Sequence, residues 1–216
     1  MTAPIIIGLI GQPGSGKDTC AQALVPYGFA AVAFADALRL EVAQAWHLDL
    51  RMLTDRSTKE VTQPALAIRH CTDARFLHWA VFRGHRLHEA RSPRWLMQRW
   101  GSEFRRAQDP AYWVRQVEQW ITQQRSHGRQ RFVVTDVRLP NEADLVRRLG
   151  GYVVRVHRPE LPAMAADTAG HSSEAHGTLP VDAVIHNDGS LDALAGEVHR
   201  VLYCVLDLPL VEGVMP

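Results

Sequence analysis

The hydrophobic positions fall into short continuous runs separated by long amphipathic stretches. Residues 5–10 (IIIGLI) are apolar throughout and rich in β-branched side chains, as in a strand buried on both faces. Residues 11–16 break the run with glycines, and residues 18–25 read as a helix. Residues 29–35 (FAAVAFA) read as a second strand, 132–135 (FVVT) as a third, 152–156 (YVVRV) as a fourth and 183–186 as a short fifth. Residues 141–149 follow Pro140 as a helix and stop at Gly150 and Gly151. Ser190 suits the N-cap of a last helix, where Leu191, Leu194, Val198, Val201, Leu202 and Val205 recur at helical spacing. Strands alternating with helices predict an α/β fold: a five-stranded parallel sheet flanked by helices, with right-handed crossovers.

Residues 36–128 carry no clear strand and hold all six tryptophans, so they read as a helical insertion. The expected division is one domain, with residues 1–35 and 129–216 as its core. Ser92 and Pro93 start one insertion helix as N-cap and first residue. Leu96, Met97, Trp100 and Phe104 form its apolar stripe. At 100° per residue, Arg94, Gln98, Gly101 and Arg105 share another face. Asp109 and Pro110 start the next helix, with Trp113, Val114, Val117, Trp120 and Ile121 on its buried side. Residues 159–177, rich in Ala, Gly and Ser, read as a mobile loop.

Composition narrows the function classes. The chain has 216 residues, 46% hydrophobic and 22% charged, with net charge +1, so no overall field favours duplex DNA or an anionic membrane. Three scattered cysteines suit a reduced cytoplasmic setting and not a disulfide framework. The N-terminal apolar run is too short to span a bilayer and lacks a basic segment before it. Lys17 and Lys59 are the only lysines, which makes the placing of Lys17 informative.

Lys17 closes the pattern GxxxxGK: Gly11-Gln12-Pro13-Gly14-Ser15-Gly16-Lys17. A strand precedes it and a helix follows, the context in which such a loop wraps backbone N–H groups around phosphates. Gly14, Ser15, Gly16, Lys17, Asp18 and Thr19 are therefore the expected ATP-binding residues. Asp18 stands where the general pattern has a Ser or Thr as magnesium ligand, and Thr19 follows it. The spacing resembles that of adenylate kinases. Asp136 and Arg138 end the third strand, where ligands of open parallel sheets sit. Asp136 suits Mg2+ beside Asp18, and Arg138 suits charge on a transferring phosphoryl group; a surface ion pair is the plain alternative. Asp36, read as the end of the second strand, suits orientation of an acceptor or a helix cap, and Arg39 suits the acceptor phosphate. Arg94, Gln98 and Arg105 suit a phosphate and a base edge, or a solvated face. The arginine-rich residues 83–106 read as an anion funnel, a nucleic-acid patch or a solvated face. His78, His85 and His88 lack partners for a structural zinc site.

Taken together, SGKDT at 15–19, FADALR at 34–39, RWLMQRWGSE at 94–103, DPAYW at 109–113, TDVRLPNEA at 135–143, HSSE at 171–174 and NDGSLDAL at 187–194 resemble the bacteriophage deoxynucleoside monophosphate kinases. The resemblance runs in order over nearly the whole chain. It implies ATP and Mg2+ use, a deoxynucleoside 5′-monophosphate acceptor and a homodimer of host cytoplasm. It also implies a lid at about 158–178 and site roles for Lys17, Thr19, Asp136, Arg138, Arg94, Gln98 and Glu174. Two rival readings stand beside it. One is a phage kinase acting on a hydroxymethylated base in DNA. The other is a nucleotide-binding regulatory or packaging protein without kinase activity, against which the chain shows no acidic pair after an apolar strand.

Overall fold

The computed structural model describes residues 4–55, 57–159 and 179–205. In chain order the elements are β1 (Ile5–Ile10), α1 (Lys17–Leu24), β2 (Ala30–Val32), α2 (Phe34–Trp46), α3 (Arg51–Thr54), α4 (Ala74–Phe82) and α5 (Pro93–Gln98). They continue with α6 (Tyr112–Ser126), β3 (Arg131–Val134), α7 (Pro140–Arg148), β4 (Tyr152–His157), β5 (Ala183–His186) and α8 (Leu191–Arg200). The chain divides into two compact units, Met1–Phe34 with Val117–Pro216, and Ala35–Gln116.

In the first unit all five strands form one sheet in the order β2-β3-β1-β4-β5, with every pairing parallel. The most apolar strand, β1, lies at the centre, and Ile6, Ile7, Leu9 and Ile10 are buried. Helices cover both faces of such a sheet, which is why β1 reads as an unbroken apolar run. Ile7, Leu9, Val133, Val154, Val156 and Ile185 pack with Leu24, Leu194, Val198 and Leu202 in one core cluster. The sheet unit also takes the second half of α6: the Trp120 ring lies 6.0 Å from that of Phe132. The unit boundary therefore falls within α6, where the sequence placed it at residue 128.

Two sequence expectations shift here. The second strand is only Ala30–Val32, because the helix already begins at Phe34, whose N–H donates to Asp136 Oδ1 at 2.7 Å. Asp36 thus sits in the first turn of α2 and not at a strand end. In α8, Ser190 Oγ accepts from Ala193 N–H as expected, but Leu191 is 73% exposed and leaves the buried stripe. Position one of a helix precedes its packed turns, so an apolar residue there need not face the core.

The described residues of the second unit are mostly helical, with one antiparallel bridge between Gln63 and Arg91, and close around aromatic rings. Phe76 packs against Trp46, Trp79, Trp100 and Phe104 with ring centroids 4.8–5.5 Å apart. Indole N–H groups in such a core need acceptors: Trp46 donates to Ala67 O at 3.0 Å, Trp100 to Glu41 Oε2 at 2.9 Å and Trp113 to Gly101 O at 3.0 Å. Ser92 Oγ caps α5 by accepting from Trp95 N–H. Beyond α5 the helix widens into a π-helical segment, Arg99–Arg106. Its i→i+5 bonding abolishes the 100° spacing on which the sequence reading relied. Among the described residues no helix is long and apolar enough to cross a membrane.

Candidate active site

The turn between β1 and α1 is a cradle of backbone. Gly11 has φ 153, and a side chain there would meet Val156 O at 2.5 Å and Ser15 Oγ at 2.7 Å. Gly16 has φ 101 as the residue capping α1. Both values lie where only glycine rests without strain, so the glycines are demanded by geometry. The Lys17 ammonium folds back over the turn and donates to Gly11 O at 2.8 Å and Gln12 O at 2.9 Å. Lys17 is half-buried. Ser15 Oγ is buried without a hydrogen-bond partner among the described residues, an unpaired hydroxyl inside the turn. A buried polar atom of this kind is costly unless a ligand satisfies it. Asp18 and Thr19 are exposed in the first turn of α1.

The end of β3, the neighbouring strand, brings Asp136 and Arg138 into the same unit. Val137 N–H donates to Leu9 O at 3.1 Å, which ties this turn to β1. One Asp136 oxygen is used by Phe34 N–H. Arg138 is exposed, and its N–H and that of Leu139 donate to Glu142 Oε2 at 2.8 and 3.1 Å. Glu142 is 2% exposed. It holds the turn that presents Arg138, a role invisible in a sequence where it reads as a first-turn helix residue. Cys20, behind the cradle, has its thiol pushed up to about 12, chiefly by burial, so it is inert.

Asn187, just after β5, entered the sequence reading only within NDGSLDAL and was given no site role. Its Nδ2 donates to Ser15 O at 2.9 Å. In the sequence it stands before Asp188 and Gly189, and so reads as a turn residue.

The helical unit treats the proposed acceptor residues unequally. Asp36 and Arg39 form an ion pair at 2.8 Å along α2. Arg94 pairs with Glu60 and Gln98 is half-buried. Arg105 lies in the π-helical segment beyond α5. The π-helical turn carries it to Glu41, 3.0 Å away, and to Asp73 at 3.5 Å, and its guanidinium lies 5.0 Å from the Trp100 ring. The close approach at Gly101 serves Leu38, whose Cδ2 would lie 2.8 Å from an added Cβ, and not a ligand. Arg86, Arg91, Arg94, Arg99 and Arg105 each lie within ion-pair distance of a carboxylate. His85 lies between the Trp79 and Trp95 rings, its pKa lowered by burial and then by Arg99, Arg91 and Arg83. Glu174 and the expected lid at 158–178 fall outside the described residues, apart from 158 and 159.

A central parallel strand, a glycine turn folded around a lysine and a helix aimed at the same point define a P-loop phosphotransferase. The deoxynucleotide monophosphate kinase family matches residues 75–198, more than half of the chain, and the chain belongs to that family. That match begins after the glycine loop, so the loop geometry and the family match are separate observations. A protein of Acanthamoeba polyphaga mimivirus, described as "Putative deoxynucleotide monophosphate kinase", is 25% identical over 198 residues, covering 90% of this chain and 94% of its own. The crystal structure of TT1252 from Thermus thermophilus matches with TM-score 0.49 and 20% identity over 95% of this chain and 98% of its own. Dephospho-CoA kinase from Campylobacter jejuni matches with TM-score 0.48 and 13% identity over 93% and 96%. At those values the two likenesses add nothing to what the sheet order shows by itself.

Proposed function

We propose that this kinase transfers the γ-phosphate of ATP to a deoxynucleoside 5′-monophosphate, giving ADP and a deoxynucleoside diphosphate. The observation that carries the reading is the cradle with Lys17 drawn across it, in a chain of this family. In the reading, backbone N–H groups of residues 14–18 and the buried Ser15 hydroxyl bind the donor phosphates. Lys17 moves from the Gly11 and Gln12 carbonyls to the β- and γ-phosphates. The acceptor phosphate oxygen is already ionised, so no strong base is required. Rate comes from positioning and from neutralising charge, the latter through Lys17 and Arg138. Asp36, Arg39, Arg94, Gln98 and Arg105 are the proposed acceptor contacts.

The residues present fit magnesium. Among the described residues no group of three His, Cys, Asp or Glu side chains is placed to cage an ion. Asp136, Asp18 and the Thr19 hydroxyl offer a few hard oxygens, the donor set for an ion held mostly by substrate phosphates and water. When bound, Mg2+ neutralises phosphate charge.

The test is ADP release with each of the four deoxynucleoside monophosphates, with modified ones and with a hydroxymethylated oligonucleotide. Acceptor-dependent release with a free monophosphate supports the reading. Release with the oligonucleotide alone transfers the activity to DNA, and release independent of any acceptor removes the kinase assignment for ATP.

A further inference from the structure

We propose that Asn187 is a positioning residue for the donor phosphates, acting through the Ser15–Gly16 peptide. The inference rests on the reading of the cradle as the ATP site. A peptide is planar and trans, so its C=O and the next N–H point in opposite directions. A hydrogen bond that fixes the Ser15 carbonyl therefore also fixes the direction of the Gly16 N–H, a donor of the cradle. Asn187 supplies that bond, with Nδ2 2.9 Å from Ser15 O.

Three further observations separate this from an ordinary turn asparagine. Asparagine in a turn bonds to backbone two residues on; this one reaches 172 residues back. Gly16 is shaped around it, since an added Cβ would lie 2.5 Å from Asn187 Nδ2 and 3.5 Å from its Cγ. Asn187 is itself held from behind, its N–H donating to His157 O at 2.8 Å at the end of β4. The amide thus links the ends of β4 and β5 to the peptide that turns β1 into α1. Ser15 also carries the buried unpaired hydroxyl, so its backbone anchor sets the aim of that group too.

Asn187→Asp keeps the size and removes the donor, and Asn187→Ala removes both. Ser190→Ala, which deletes the α8 cap on Ala193, is the control for general loosening of this end of the chain. In ligand-free Asn187→Ala protein the Gly16 amide signal should move from its wild-type position in an NMR amide spectrum, because the peptide it belongs to is no longer held. The KM for ATP should rise roughly tenfold in both variants, the worth of one lost hydrogen bond, while the acceptor KM stays within about twofold. Ser190→Ala should lower Tm and move neither quantity. A wild-type Gly16 signal and a wild-type ATP KM in Asn187→Ala would overturn the proposal. So would Ser190→Ala reproducing both changes at equal destabilisation. A wild-type protein that does not turn over ATP would instead remove the kinase reading, and the Gly16 signal would still decide the anchor.

Discussion

At the scale of single residues, the site separates charge from hydrogen bonding. Lys17 donates to two backbone carbonyls of the turn, which water can satisfy equally well. Lys17→Ala should therefore melt within a few degrees of wild type while kcat/KM falls on the order of 10²–10³-fold or more, the scale of one lost electrostatic donor. Thermal unfolding beside ADP-release kinetics checks both halves; near-normal turnover in a folded variant would sink the P-loop assignment. Asp136 accepts from Phe34 N–H and is the proposed magnesium ligand, and one substitution divides the two. Asn keeps an oxygen for the Phe34 N–H but loses the charge. Asp136→Asn should keep stability within about 1 kcal/mol and lose magnesium-dependent rate by on the order of 10²-fold. A rate equal to wild type at every magnesium concentration would leave Asp136 as a helix cap only.

At the scale of elements, the helical unit is pinned by one carboxylate. Glu41 on α2 accepts from Trp100 and Arg105 of the π-helical segment and from Tyr112 of α6. Glu41 and Arg105 side chains are 21% and 18% exposed, so both are largely desolvated. Glu41→Ala strands three donors, and should cost about 2–4 kcal/mol by urea unfolding, near the lower end for breaking a buried pair. A loss below about 0.5 kcal/mol, the level of a surface pair, would show the network to be incidental. This network also marks where sequence stopped being legible. The strands, the Ser92 and Ser190 caps and the glycine turn were readable because each rests on a local pattern: apolar runs, capping chemistry and residues forced to positive φ. The Glu41 cluster joins positions 41, 100, 105 and 112 through a π-helical turn that no 3.6-residue period predicts. Asp36 was misplaced because a capping partner 102 residues away moved the start of its helix. Asn187 and Glu142 act on backbone, and a side chain's backbone partner leaves no mark in composition.

At the scale of the whole molecule, two buried thiols and a phenol set an alkaline limit. Burial pushes Cys20 and Cys71 up from 9.0 to about 12, and burial with Glu41 pushes Tyr112 from 10.0 to about 12. The folded state thus holds these protons more tightly than the unfolded chain. Their contribution is full below the unfolded values and is lost as pH climbs through the folded ones. The urea midpoint should fall between about pH 8 and about pH 10.5, and Cys20→Ala should flatten part of that slope. A midpoint flat over that range would contradict the burial of all three groups. The sheet order has a consequence for synthesis. Central β1 leaves the ribosome first, yet Ile5 pairs beside Arg131, and the Ser15 carbonyl waits for Asn187. The residues of the helical unit, Ala35–Gln116, are translated in between, and their contacts are closer in sequence. A nascent chain therefore carries its most apolar strand unpaired until residues 131–134 emerge, the condition under which chaperones are recruited. It acquires an ordered phosphate cradle only when β5 and Asn187 have cleared the exit tunnel, so nucleotide binds a sheet already assembled and cannot guide its early folding.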